Sequence, residues 1–125
     1  MKKQKKQPLY RSFGYAFEGI ASGIRKERNM KIHCTAIVLV VFSGIVFRIT
    51  TIQWCICLLL FGLILALELV NTAIEAVVDL VTEDKKPLAK LAKDTAAGAV
   101  LIAAIMAAVI GCVIFIPQIA AFLRN

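Results

Sequence analysis

The chain has 125 residues, enough for one domain, and its apolar fraction of 60% exceeds the roughly 45 to 50% of soluble domains. The mean hydropathy is +0.82, charged residues make up only 18%, and the net charge is +7. This composition excludes a water-soluble monomer and predicts a small membrane protein, whose few charged segments mark where the chain meets water. We expect the membrane as a partner and no nucleic acid.

Two short segments precede the apolar part of the chain. Residues 1–8 are a basic tail, which we expect to be disordered and to rest on anionic lipid. In residues 9–28 apolar side chains recur at helical spacing while polar ones follow another face; the apolar ones are Leu9, Phe13, Phe17, Ile20 and Ile24. Because this segment is too polar to span a bilayer, it predicts an amphipathic surface helix.

Three long apolar stretches follow, at about residues 32–49, 54–81 and 95–122. The shortest covers roughly 27 Å as a helix, so each is long enough to cross the membrane once. Lys and Arg are concentrated before residue 32 and between Lys85 and Lys93. The positive-inside rule therefore predicts a cytoplasmic N-terminus and an external C-terminus. The predicted fold is an all-α integral membrane protein with three transmembrane helices and a surface helix.

The second apolar stretch contains polar residues at positions where apolar ones would cost less free energy in a membrane. At about 100° per residue, five of them share one helix face: Glu68, Asn71, Thr72, Glu75 and Asp79. An acidic side chain at the centre of a spanning helix costs about 2.5 to 3.5 kcal/mol. The stripe therefore needs partners, water or a cation to persist.

The depth of these acids suggests different roles. If Trp54 lies at the outer interface, Glu68 lies about 21 Å below it and Glu75 about 31 Å below it. A carboxylate buried near the inner head groups suits a proton acceptor, whereas one at the wet edge beside a second acid, here Glu27, suits a divalent cation. Lysines at the same level could hold phosphate: Lys86, Lys90 and Lys93.

Simpler interpretations stay open for several of these residues. Asn71 and Thr72 could serve only to hydrogen-bond neighbouring helices, and the lysines could simply be solvated beside lipid. His33 is interpreted as an interfacial helix residue rather than a ligand. Ile20 stands where a phosphate-binding loop would need lysine, so ATP use would require an unfamiliar nucleotide site.

Two segments carry a family resemblance: ELVNTAIEAVVD at residues 68–79 and AKDTAAGAVL at residues 92–101. With Gly14-Tyr15, Gly19 and Glu27-Arg-Asn29, they resemble the prokaryotic diacylglycerol kinase family, the small integral-membrane lipid kinases of bacteria. The resemblance extends from about residue 11 to the third span. Three further features resemble the Gram-positive branch, whose usual substrate is undecaprenol: His33 after Glu27-Arg-Asn29, KPLAK at residues 86–90, and AAG at residues 96–98.

The resemblance implies a homotrimer with active sites shared between neighbouring subunits on the inner face of the bacterial cell membrane. It implies Glu68 as the proton acceptor, supported by Asn71, with Glu27 and Glu75 as magnesium ligands that bring in ATP. The residues implied to contact the nucleotide are Tyr15, Asp84, Lys85, Lys86, Lys93 and Asp94.

The polar stripe and the family resemblance lead to the same expected function, which is transfer of the ATP γ-phosphoryl group to a lipid alcohol. The expected acceptor is undecaprenol, and diacylglycerol is the alternative. A small proton-coupled exporter is a competing hypothesis, because an intramembrane carboxylate suits it too. A non-enzymatic membrane subunit is a third. The polar stripe, which continues to the cytoplasmic surface, favours the kinase.

Overall fold

The computed structural model describes residues 5–125 and, within them, consists of four helices and no strand. These are α1 (Leu9–Lys26), α2 (Arg28–Val46), α3 (Thr51–Val81) and α4 (Pro87–Arg124). The last three are long and apolar enough to cross a membrane. The predicted all-α membrane fold is therefore confirmed. The predicted disorder of the basic tail falls partly on residues 1–4, which lie outside the described residues.

Helix α1 has the exposed apolar face of an interfacial helix. Leu9, Phe13 and Phe17 are all exposed, while Gly23 is buried and a Cβ added there would lie 2.7 Å from the Leu69 side chain. The C-terminal half of α1 therefore packs closely on α3, and α1 also contacts α2. The apolar face remains available to lipid, as an amphipathic surface helix requires.

A single extended residue separates α1 from α2. Glu27 has φ −95° and ψ 121°; its N–H donates to the carbonyl of Gly23 at 3.0 Å, and its carbonyl accepts from Lys31 at 3.3 Å. The sequence placed the end of the surface helix at residue 28 and the span from residue 32, whereas α2 begins at Arg28. Glu27 therefore bears its carboxylate at the N-terminus of α2, where the helix dipole favours negative charge.

The turn between α2 and α3 is set by hydrogen bonding rather than by hydropathy. Arg48 has φ 51°, and the N–H groups of Arg48 and Ile49 donate to the carbonyls of Ile45 and Gly44 at 3.3 and 3.1 Å. This pair of bonds is a Schellman motif, which ends α2 before the predicted limit at residue 49. Thr50 and Gln53 then form a capping box, so α3 starts before the predicted limit at residue 54.

The end of the bundle near this turn has an apolar core. Ile49, Cys57 and Ile114 are buried together. Phe47 packs against the rings of Phe115 and Phe122, each with a centroid separation of 6.4 Å. Since α3 and α4 also pack along each other, this core fixes their register. The polar stripe lies on the other half of α3, toward its C-terminus.

Gly44 lies at the closest approach in this region. A Cβ added there would be 2.7 and 2.8 Å from Cη2 and Cζ2 of Trp54, whereas one added at Gly62 would meet nothing within 4 Å. We expect Gly44→Ala to lower the thermal midpoint, because overpacking costs about 1 to 3 kcal/mol and outweighs the gain of about 1 kcal/mol in helix propensity. Gly62→Ala should match or exceed the parent in the same detergent. Equal midpoints for the two variants would show that α2 moves away from the indole at no cost.

Candidate active site

The polar stripe of α3 becomes steadily more exposed toward the C-terminus of the helix. Glu68 and Asn71 are buried, Thr72 and Glu75 are half-buried, and Asp79 is exposed. The Thr72 hydroxyl donates to the Glu68 carbonyl at 3.0 Å, which satisfies it locally. Glu68 is therefore the most buried acid on α3.

His33 of α2 lies against this deepest acid. Nε2 of His33 is 3.2 Å from Oε1 of Glu68, and Glu68 is only 2% exposed. From the sequence we predict that His33 is an interfacial helix residue, whereas the structure places it beside Glu68, the predicted proton acceptor. A buried carboxylate requires such a partner, because its desolvation is costly unless it is paired.

Asn71 lies between the two glutamates of the stripe. Its Nδ2 donates to Oε1 of Glu75 at 3.4 Å. Its Oδ1 is buried and has no hydrogen-bonding partner among residues 5–125. Because leaving a buried acceptor unpaired costs about 1 to 3 kcal/mol, this oxygen indicates a place for a donor from outside the chain.

A cavity of about 290 Å³ opens beside these groups, between α2, α3 and α4. Its polar side is lined by Asn29, His33, Glu68 and Asn71, and part of its apolar side by Val100 and Leu101 of α4. A second cavity, of about 300 Å³, is lined by His33 and otherwise almost entirely by apolar side chains. His33 is the polar side chain common to both cavities.

The connection between α3 and α4 forms a charged groove of about 620 Å³. Five of the predicted nucleotide contacts line it: Asp84, Lys85, Lys86, Lys93 and Asp94. Lys93 donates to Oδ1 of Asp79 at 2.6 Å, and Lys90 forms an ion pair with Asp94. These pairs are partly or largely exposed, so they contribute little to stability and their lysines are available to phosphate.

The other predicted residues are not gathered at this groove within one chain. Tyr15 is 57% exposed on α1, and Glu27 is half-buried at the junction of α1 and α2. Neither lines the groove or the cavity beside Glu68. Within residues 5–125, no group of three or more histidine, cysteine or acidic side chains is arranged to hold a metal ion.

A sequence model described as "Prokaryotic diacylglycerol kinase" matches residues 14–115. The chain belongs to the prokaryotic diacylglycerol kinase family. It is 44% identical over 111 residues to the undecaprenol kinase of Bacillus subtilis (strain 168), covering 89% of this chain and 90% of that protein.

Two diacylglycerol kinases are also similar to this member of the family. The one from Synechocystis sp. is 40% identical over 109 residues, which are 86% of this chain and 62% of that protein. The one from Escherichia coli (strain K12) is 28% identical over 106 residues, which are 85% of this chain and 87% of that protein. The predicted enzyme class, a membrane lipid kinase, is thereby confirmed, and the similarity supports the predicted Gram-positive undecaprenol kinase branch.

For this family member, His33 is the contact that sequence reasoning missed. It is the only basic side chain between Lys31 and Arg48. The rule that raises suspicion about an ionisable side chain within a span applies to it as it does to Glu68. The presence of an ionisable histidine in a span therefore indicated a functional residue, but it did not predict that His33 contacts Glu68.

Proposed function

We propose that this lipid kinase transfers the γ-phosphoryl group of ATP to the hydroxyl of undecaprenol, forming undecaprenyl phosphate at the cytoplasmic membrane interface. The observation that carries the proposal is the buried Glu68, which faces a cavity between three helices next to the unpaired acceptor of Asn71. The similarity to a kinase named for undecaprenol supports this choice of acceptor.

In the proposed reaction the lipid hydroxyl enters the cavity beside Glu68. Its proton passes to the Glu68 carboxylate as its oxygen attacks the γ-phosphorus, and the bond from that phosphorus to the bridging oxygen breaks with its electrons leaving on ADP. Asn71 is proposed to support this arrangement, because its Nδ2 donates to Glu75 and its side chain lines the same cavity as Glu68. Such a transfer requires mainly positioning and charge neutralisation, so a compact site suffices.

Glu27 and Glu75 are proposed to hold magnesium. Mg²⁺ is usually bound by one or two carboxylates together with substrate phosphates and water, so two glutamates without a third acid fit this ion. When bound, the ion would neutralise charge on the phosphates. The groove at the α3–α4 connection would hold the nucleotide through Lys85, Lys86 and Lys93, with Asp84, Asp94 and Tyr15 as further contacts.

We propose a homotrimer with shared active sites, with the N-terminus in the cytoplasm and the C-terminus outside. Tyr15 and Glu27 lie outside the charged groove of their own chain, so a site containing all the proposed contacts needs a surface from a second copy. The exposed apolar residues of the three long helices also favour burial against lipid or another subunit. Lysines concentrated at the N-terminal segment and the α3–α4 connection support the orientation.

The lining beside Glu68 makes a prediction about lipid choice. Diacylglycerol has two ester carbonyls that need donors or water, whereas a polyprenol has only hydrocarbon next to its alcohol. Toward the membrane side of Glu68, α3 carries Phe61, Ile64 and Leu65, of which Phe61 and Ile64 line the apolar second cavity, and α4 contributes Ala97 and Val100 to the cavity beside Glu68. One unpaired carbonyl costs about 1 to 3 kcal/mol, so undecaprenol should have a specificity constant about 10- to 100-fold higher.

This preference is tested by comparing both lipids in one mixed-micelle system with labelled ATP and magnesium. Slow phosphorylation of diacylglycerol is expected alongside faster phosphorylation of undecaprenol. An equal or higher specificity constant for diacylglycerol would show that the apolar lining does not determine the preference. No phosphorylated product from either lipid would refute the proposed function itself.

A further inference from the structure

The proposed transfer leaves a proton that must reach water. The lipid hydroxyl gives it to Glu68, yet the Glu68 side chain is only 3% exposed. A carboxyl group enclosed to this degree has little direct contact with bulk water. The protonated Glu68 must lose this proton before its carboxylate can act in the next cycle, so another group has to receive the proton.

His33 is placed to do this. Its Nε2 lies 3.2 Å from Oε1 of Glu68, and its side chain is 19% exposed, several times more than that of its partner. The other side chains lining the Glu68 cavity are amides or apolar groups, which do not exchange protons near neutral pH. The thiol of Cys57 lies in the second cavity, deeper among apolar residues. Imidazole is the side chain best suited to take up and release protons under physiological conditions.

We propose that His33 relays the proton of the lipid hydroxyl from Glu68 to water. This inference rests on the proposed function. The proton leaves Oε1 of the protonated Glu68 and binds the lone pair of Nε2 on a neutral imidazole, which regenerates the carboxylate and forms an imidazolium. The imidazolium then releases a proton to water at its exposed edge. Over one cycle, the lipid alcohol and ATP yield the lipid phosphate, ADP and one proton in solution.

The first test replaces His33 by glutamine, which keeps a polar side chain of moderate length but does not take up or release a proton near neutral pH. We expect kcat with undecaprenol to fall about 10- to 100-fold, a smaller loss than removal of the base itself. The KM for MgATP should stay within about twofold of the parent, because the nucleotide groove does not include His33. Turnover within twofold of the parent would overturn the relay.

The second test separates proton transfer from packing. His33→Ala should open space next to both cavities, and added imidazole should then raise its turnover in a concentration-dependent and saturable way. His33→Ser offers a polar alternative if the alanine variant is not recovered. Ile37→Ala, which enlarges only the apolar cavity, should show no gain with imidazole whatever its own turnover. Glu68→Gln should show none either.

The outcomes distinguish this inference from the proposed function. A parent protein that phosphorylates undecaprenol, together with a slow His33 variant that imidazole restores, supports the relay. A slow variant that imidazole does not restore would overturn it and assign His33 a packing role. A parent protein that does not phosphorylate undecaprenol would instead refute the proposed function.

Discussion

Replacing Glu68 by glutamine is expected to lower kcat by about 10² to 10⁴, the range typical of losing a general base. Glutamine has nearly the same size, so the amide can stay in contact with His33, and the bond from Thr72 to the residue 68 carbonyl does not involve the side chain. The loss should therefore appear in turnover, while the KM for MgATP and the oligomeric state in detergent remain those of the parent.

Glu18→Gln provides a matched control for this substitution. Glu18 is an exposed acid on α1, so the variant makes the same change of charge away from the cavity and should retain parental turnover. Near-parental turnover of Glu68→Gln, measured with undecaprenol and labelled ATP, would remove Glu68 from the mechanism. A loss of turnover with a collapsed assembly would indicate a packing role instead.

Much of the fold could be predicted, because apolar length and charge position govern how a chain meets a bilayer. The three long apolar helices and the amphipathic α1 follow directly from these quantities. The helix limits did not follow. Hydropathy marks the segment that suits lipid, whereas the limits depend on local bonds such as the capping box of Thr50 and the Schellman motif at Arg48.

The shared face of Glu68, Asn71 and Glu75 could also be predicted, since they lie on one helix and the helical repeat fixes their directions. Contacts between helices could not. The approach of His33 to Glu68 and the bond from Lys93 to Asp79 depend on how α2 and α4 are rotated and shifted against α3. One sequence without packing information does not determine that rotation.

The proposed site has an inner level at Glu68 and an outer level at Glu75, and we expect substitutions at the two levels to have different effects. Glu68 is buried beside the cavity, while Glu75 is half-buried about two helical turns nearer the charged groove. Asn71 joins the levels through its bond to Glu75. A substitution at the outer level, Glu75, should therefore weaken binding of the nucleotide and magnesium more than it slows proton transfer.

Glu75→Gln is accordingly expected to weaken use of magnesium and ATP rather than to abolish the transfer. The amide keeps an oxygen that can accept the 3.4 Å bond from Nδ2 of Asn71, so the substitution removes mainly the negative charge. Loss of a hard anionic ligand should raise the apparent KM for MgATP about 10-fold or more. With saturating magnesium and ATP, kcat should recover to a much greater extent than in Glu68→Gln.

The measurement is a two-dimensional titration of turnover against magnesium and ATP, together with direct binding of MgATP to the protein without lipid. Glu18→Gln serves again as the control for loss of one acid, and it should reproduce both parental curves. If the curves of Glu75→Gln coincide with those of the parent, Glu75 does not bind the metal and the assignment of the ion to the wet edge of α3 is wrong. A rightward shift in both measurements, with kcat restored at saturation, is the result that a metal-binding carboxylate at this level requires.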